Sequence, residues 1–298
     1  MTDLKKVCFF CNKDIKDKKS FEHIIPDGLL GKMGIKEAKV TGDRVTQYSR
    51  IKVPAHSRCN NEFGSRYEEI VLELLQDTDT LYQAIVDEEG GLPIEYGPSA
   101  SVSSIMTTWL SKIYYGMFYD DYLKTSNENW KEICLHVIES QNFDLVRKSY
   151  EGGYGFQLPS SLFVFQSKNS RFDLFTSVNP STILIKINTI TLVLCLCDGY
   201  LTKGYLNGET LQQLRDRVTE ENLNDSEFPS HKLALSEILA LRLCIPKSPS
   251  FIYGNHQILN MSFSTMVSNP SEVYKIDVAL LKELRIKFLS EFGIQLLN

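Results

Sequence analysis

The chain reads as an α+β protein in two parts: a short N-terminal module, then a larger α+β domain with an antiparallel sheet and flanking helices. Three observations predict this. Cys8/Cys11 and His56/Cys59, two pairs with the same spacing, bracket short runs rich in turn residues and poor in helical periodicity. Residues 162–198 fall into four β-branched and aromatic runs separated by polar breaks, the pattern of strands. Elsewhere apolar residues recur at three- and four-residue spacing, as on the inward face of a helix.

Taken in order, a helical stretch is expected from about residue 55 to 75, with Tyr67, Ile70, Val71, Leu74 and Leu75 on its apolar face. Residues 76–98 read as a boundary, because they are acidic and hold Gly90-Gly91, Pro93 and Gly97-Pro98. The module is therefore placed at 1–80 and the second domain at 98–298. Beyond Pro98, the spacing of Ile105, Trp109, Ile113 and Met117 predicts a helix, and a second is expected over 129–148. The aromatic residues Trp109, Tyr114, Tyr115, Phe118, Tyr119 and Tyr122 read as core or a subunit contact. The four runs of 162–198 are expected to form an antiparallel meander. Helices follow at about 208–220, 231–243 and 270–290, with strands in 251–254 and 258–266.

The 298 residues suit two domains, and 43% hydrophobic with 23% charged residues is the balance of a soluble globular protein. No apolar run near the start suits a signal peptide. The most apolar stretch, 183–197, is interrupted by Lys186, Asn188 and threonines. A cytoplasmic protein with no membrane contact is expected. The net charge of −5 divides unevenly, with +6 over residues 1–66 and −11 over the rest. That asymmetry points to a basic module meeting a polyanion and an acidic body that binds a regulatory protein or a second copy of the chain. Of the seven cysteines, Cys134, Cys195, Cys197 and Cys244 lie in apolar runs and read as core thiols. No P-loop or dinucleotide-binding glycine fingerprint is present.

Chemistry concentrates in three pieces: Cys8-Phe9-Phe10-Cys11, Glu22-His23-Ile24-Ile25-Pro26, and His56-Ser57-Arg58-Cys59-Asn60-Asn61. Zinc favours four tetrahedral ligands from cysteine and histidine, and Cys8, Cys11, His56 and Cys59 supply such a set. The ordinary alternatives are free thiols and a histidine at a helix start. His23 has an imidazole suited to general-base work near neutrality, and Glu22 carries a hard oxygen for Mg²⁺ or Mn²⁺. Against this, His23 reads as a core histidine, Glu22 as a surface carboxylate, and Asn60 and Asn61 as helix caps. Arg50, Lys52, Arg58, Asn61 and Arg66 are candidates for contacts to DNA phosphates, or plain solvated groups.

The order CxxC, EHIIP, (H/C)xxCNN resembles the HNH, or ββα-metal, endonuclease superfamily, specifically its zinc-containing branch. The resemblance covers about residues 8–66, roughly a fifth of the chain. It implies a zinc-stapled ββα-metal module that hydrolyses DNA phosphodiesters, with His23 as base, and Glu22 and Asn60 holding one Mg²⁺ or Mn²⁺. It also implies fusion to a regulatory or targeting domain, as in bacterial defence against phage. Two departures stand out. His56 occupies a position where cysteine is common, and no asparagine lies between Lys13 and Asn60 to serve as the family's middle residue near Arg50 or Ile51. A non-catalytic zinc-stabilised binding module and an RNA-cleaving toxin are the competing expectations.

Overall fold

A computed structural model describes residues 3–16, 19–41, 44–89, 101–152, 157–220 and 230–244. It is an α+β protein with antiparallel sheets, divided into two compact units, Met1–Leu158 and Pro159–Asn298. This division falls well past the expected boundary at 76–98. The first part of that stretch is a helix, Thr78–Glu88, and residues 90–98 lie outside the described residues.

In the first unit, β1 (Lys19–His23) leads into a short α1 (Asp27–Lys32), a hairpin of β2 (Lys39–Thr41) and β3 (Val45–Gln47), and then β4 (Lys52–His56). β1 and β4 pair antiparallel, with Glu22 opposite Val53 and His23 opposite Lys52. α2 (Ser57–Phe63) follows β4 directly and packs on both strands. The expected helix start near residue 55 is therefore late by two residues, because Ala55 and His56 still pair with β1. The helix passes through a π-helical turn, Gly64–Glu68, before continuing as α3 (Glu69–Leu74). α4 (Thr78–Glu88) ends in Glu88, whose carboxylate accepts from the Val102 and Ser103 amides, both at 2.8 Å. These are two of the first-turn donors of α5 (Val102–Lys124), which carry no intrahelical partner.

α5 is buried on nearly every face, as its aromatic content implies. It packs against β4, the π-turn, α3, α6 (Glu128–Ile138) and α7 (Gln141–Gly152). The single helix expected over 129–148 is broken in two, because the Ser140 hydroxyl accepts the Phe143 amide at 3.3 Å and starts α7 afresh. The Phe9-Phe10 pair of the cysteine knuckle is fully inside. Phe9 meets Tyr119 and Phe143, and Phe10 stacks on Phe63. Arg147, also buried, donates from Nε to the Phe9 carbonyl at 3.1 Å. The N-terminal segment thus draws its core from helices expected to belong to the second domain.

In the second unit, β5 (Ser161–Gln166), β6 (Asp173–Ser177), β7 (Thr182–Ile187) and β8 (Ile190–Cys195) form one antiparallel sheet. Its order is β5-β8-β7-β6, not the simple meander expected; only β6-β7-β8 run as neighbours. Two residues join β7 to β8, and Asn188 there takes φ +53°, the left-handed conformation a tight hairpin demands and asparagine tolerates. α8 (Leu201–Tyr205), α9 (Gly208–Glu220) and α10 (Ser230–Cys244) follow. Phe163, Phe165, Leu184, Val193 and Cys195 share a core with Leu211 and Leu214 of α9 and Ile238 of α10. The helices expected at 208–220 and 231–243 are those formed; the helix at 270–290 and the strands in 251–266 lie outside the described residues. Cys134, Cys195 and Cys197 are buried as expected, whereas Cys244, at the last turn of α10, is partly exposed. Among the described residues, no helix is long and apolar enough to cross a membrane.

Gly116 sets how closely α5 approaches the end of β1. A Cβ built there falls 2.1 Å from Ile24 Cδ1 and 2.6 Å from its Cγ1, so the whole side chain, not its tip, blocks it. Gly116→Ala is expected to destabilise the first unit by about 1–3 kcal/mol, the usual cost of overpacking a core. Both tryptophans, Trp109 and Trp130, lie in this unit, so urea unfolding followed by their fluorescence reads the change directly.

Candidate metal centre and adjoining polar site

The knuckle begins with a tight turn: the Asn12 amide donates to the Cys8 carbonyl at 2.9 Å, and Asn12 takes φ +56°. The turn is tied to β4 by the Phe9 amide on the Pro54 carbonyl at 2.9 Å, and by the His56 amide on Cys8 Sγ at 3.3 Å. His56 ends β4 and Cys59 stands in the first turn of α2. The ligand atoms of Cys8, Cys11, His56 and Cys59 all lie within 4.8 Å of one another. His56 Nδ1 is 3.4 Å from Cys11 Sγ and 3.9 Å from Cys59 Sγ. A zinc tetrahedron with sulfur bonds of about 2.3 Å separates its ligands by about 3.5–3.8 Å. The four residues fit a structural zinc ion.

The donor set fits in its chemistry as well. His56 Nε2 sits 3.2 Å from the Asp14 carbonyl oxygen, an acceptor, so Nε2 carries the proton and the Nδ1 lone pair faces the thiols. Burial, then the neighbouring thiols Cys8 and Cys11, push the Cys59 thiol up to about 12. Burial likewise raises Cys11, against an opposing hydrogen bond from the Lys13 backbone. Cys11 and Cys59 therefore resist ionisation until a cation shares the charge, so metal uptake releases protons and weakens as pH falls.

The other candidate residues lie one strand away. His23 closes β1 and is half-buried. Burial, then the Lys52 ammonium opposite it, hold the imidazole below its ordinary value of 6.5. It is therefore neutral at pH 7. Glu22 is buried and ion-paired with Lys112 of α5; the same ammonium pairs with Glu68 and donates to the His23 carbonyl at 2.8 Å. Asn60 Oδ1 is buried with no hydrogen-bond partner among the described residues. Asn61 is exposed. Arg58 is engaged by Glu62 at 2.7 Å, Arg50 is exposed, and the Lys52 amide donates to Asp120 at 3.0 Å. Arg66 occupies the π-turn. A cavity of about 350 Å³, lined by Asn12, Asp14, Tyr122 and Arg147 among others, shares no wall with His23, Glu22 or Asn60.

Glu22 and Asn60 were expected to hold Mg²⁺ or Mn²⁺. The orphaned Asn60 oxygen suits a cation, but the Glu22 carboxylate already holds an ammonium, so this pair does not fit a divalent ion in the conformation described. No sequence motif marks Glu68 or Lys112. Glu68 lies 46 positions past Glu22 with no local signal, whereas Lys112 stands between Leu110 and Ile113 in an apolar helix, where a charge requires a buried partner. Against known protein families, curated proteins and solved structures, the chain finds no match.

Purified protein is expected to carry about one tightly held zinc ion per chain. Cys59→Ser should lose it and unfold the first unit at lower denaturant, since in such modules binding energy is folding energy. Elemental analysis and denaturation with and without chelator read both effects; folded, zinc-free wild-type protein would exclude the metal.

Proposed function

We propose that the first unit is a zinc-stapled nuclease module of the HNH type that hydrolyses DNA phosphodiester bonds. The observation that carries the reading is the placement of His23. A neutral imidazole ends the strand that pairs with β4, and β4 runs through the zinc ligand His56 into the helix bearing Cys59 and Asn60. Hydrolysis needs a base to take a proton from water, and His23 is in its proton-accepting form at neutral pH. The zinc centre holds β4 and α2 in place and takes no part in the chemistry. The net +6 over residues 1–66 supports a polyanionic substrate, with Arg50, Lys52, Arg58, Asn61 and Arg66 as phosphate contacts once Arg58 leaves Glu62. The divalent cation implied by the resemblance finds no free carboxylate at Glu22, so proton abstraction is what these residues supply by themselves.

One observation favours a second reading, a non-catalytic zinc-stabilised module: the Glu22 charge is neutralised internally. The acidic remainder of the chain is proposed to bind a regulatory protein or a second copy, and phage defence is a setting consistent with such a fusion.

Cleavage of supercoiled plasmid, linear DNA and RNA, with and without Mg²⁺ or Mn²⁺, separates the readings. His23→Ala should lower DNA cleavage by about 10² to 10⁴ while leaving zinc content unchanged. Because the imidazole is depressed, the wild-type rate should hold from neutral pH down to about 6.5 and fall only below that, as the base becomes protonated. His23→Ala cutting at the wild-type rate would remove the base assignment; RNA cut in preference to DNA would change the substrate.

A further inference from the structure

Among the described residues of the first unit, Lys112 is the most completely enclosed cation. Its side chain is fully buried, and its ammonium donates to Glu22 Oε1, to Glu68 Oε1 and, at 2.8 Å, to the His23 carbonyl. An ammonium carries three N–H donors. All three have acceptors, so none remains to hold a phosphate, and Lys112 does not act as a substrate contact. The geometry around it is imposed from several directions. Glu22 arrives on β1, Glu68 from the π-turn, and Lys112 from α5, whose approach at Gly116 is within van der Waals limits only because that residue lacks a Cβ. Two carboxylates converging on one point is also the arrangement by which a hard divalent ion is held. Here the point is filled by the protein's own cation.

We infer that Lys112 is a built-in counter-ion that closes the Glu22–Glu68 carboxylate pair to divalent metal, so that Mg²⁺ or Mn²⁺ binds at Glu22 only after the Lys112 ammonium leaves. The inference deepens the proposed function and rests on Glu22 being the acidic partner of His23. It assigns Glu68 as the second carboxylate of that site and Lys112 as its positioning residue. Two cations cannot share the pair at hydrogen-bonding distance without strong repulsion, so occupancy by one excludes the other.

The test is Mn²⁺ binding, read from the electron paramagnetic resonance signal of the free ion with full-length, zinc-loaded protein. Wild type and Glu22→Gln should give the same isotherm. Lys112→Met should bind one Mn²⁺ about tenfold or more tighter than wild type, within the range by which supporting residues alter metal affinity. Lys112→Met combined with Glu22→Gln should lose that gain. Wild type binding Mn²⁺ about tenfold tighter than Glu22→Gln overturns the inference, as does a gain in Lys112→Met that survives Glu22→Gln. Should Lys112→Met not fold, the comparison of wild type with Glu22→Gln decides alone, since it needs no change at the lysine. Cleavage is not part of this readout. Protein that excludes Mn²⁺ from Glu22 and never cuts DNA keeps the counter-ion and loses the nuclease, whereas protein that binds Mn²⁺ at Glu22 and cuts does the reverse.

Discussion

Both two-stranded sheets of the first unit lie between residues 8 and 59 in the chain, yet four side chains bring their ligand atoms within 4.8 Å of one another. Much else in the first unit is referred to that point. His56 belongs at once to the cluster, to the last pair of β1 and β4, and to the turn into α2, so one residue locks the strand register to the helix phase. Hydrogen bonds from the Phe9 amide to the Pro54 carbonyl and from the His56 amide to Cys8 Sγ already close the loop, and a metal ion would add its own bonds to the four side chains. The small amount of regular structure before β4 is tolerable because its two ends are held here and its aromatic residues are covered by α5 and α7.

The helix α5 carries a second kind of constraint. Lys112 and Asp120 are both fully buried, each in an ion-paired network: Lys112 with Glu22 and Glu68, Asp120 with Arg44 and Lys124. Asp120 Oδ1 also accepts the Lys52 amide, fastening the start of β4. Buried pairs of this kind contribute little net stability, but leaving one partner alone costs about 3–5 kcal/mol. They therefore penalise any other docking of α5 far more than they reward this one. Hydrophobic residues around the whole circumference of α5 give it no preferred rotation; the two charges do.

Periodicity and spacing made the α+β class, the Cys8-Cys11-His56-Cys59 cluster, and the helices at 102–124, 208–220 and 231–243 legible in the sequence, because each is a local pattern that burial alone completes. What was hidden depended on distant partners. The break at Ser140 hangs on one hydroxyl, and the position of β5 beside β8 depends on pairing across the sheet. The division at residue 158 follows from Phe9 and Phe10 seeking an aromatic core that lies more than a hundred residues away. At the polar site, the sequence placed His23 and Glu22 on one strand, as found. It offered nothing for Glu68, whose partner is 44 residues further on, although a lysine amid Trp109, Leu110 and Ile113 was a visible sign that some acid had to meet it.

The π-turn at Gly64–Glu68 has a consequence for how the two polar sites are kept apart. A regular α-helix advances about 100° per residue, so each residue inserted or removed swings everything beyond it by roughly that angle. A π-turn is the trace of one such insertion, absorbed without breaking the helix. Upstream of it lies Cys59, turned toward the other two thiols; at its far end stands Glu68, turned toward Lys112. The bulge acts as a phase shifter between them, so a single length of helix serves a soft-metal cage at one end and a hard-oxygen pair at the other.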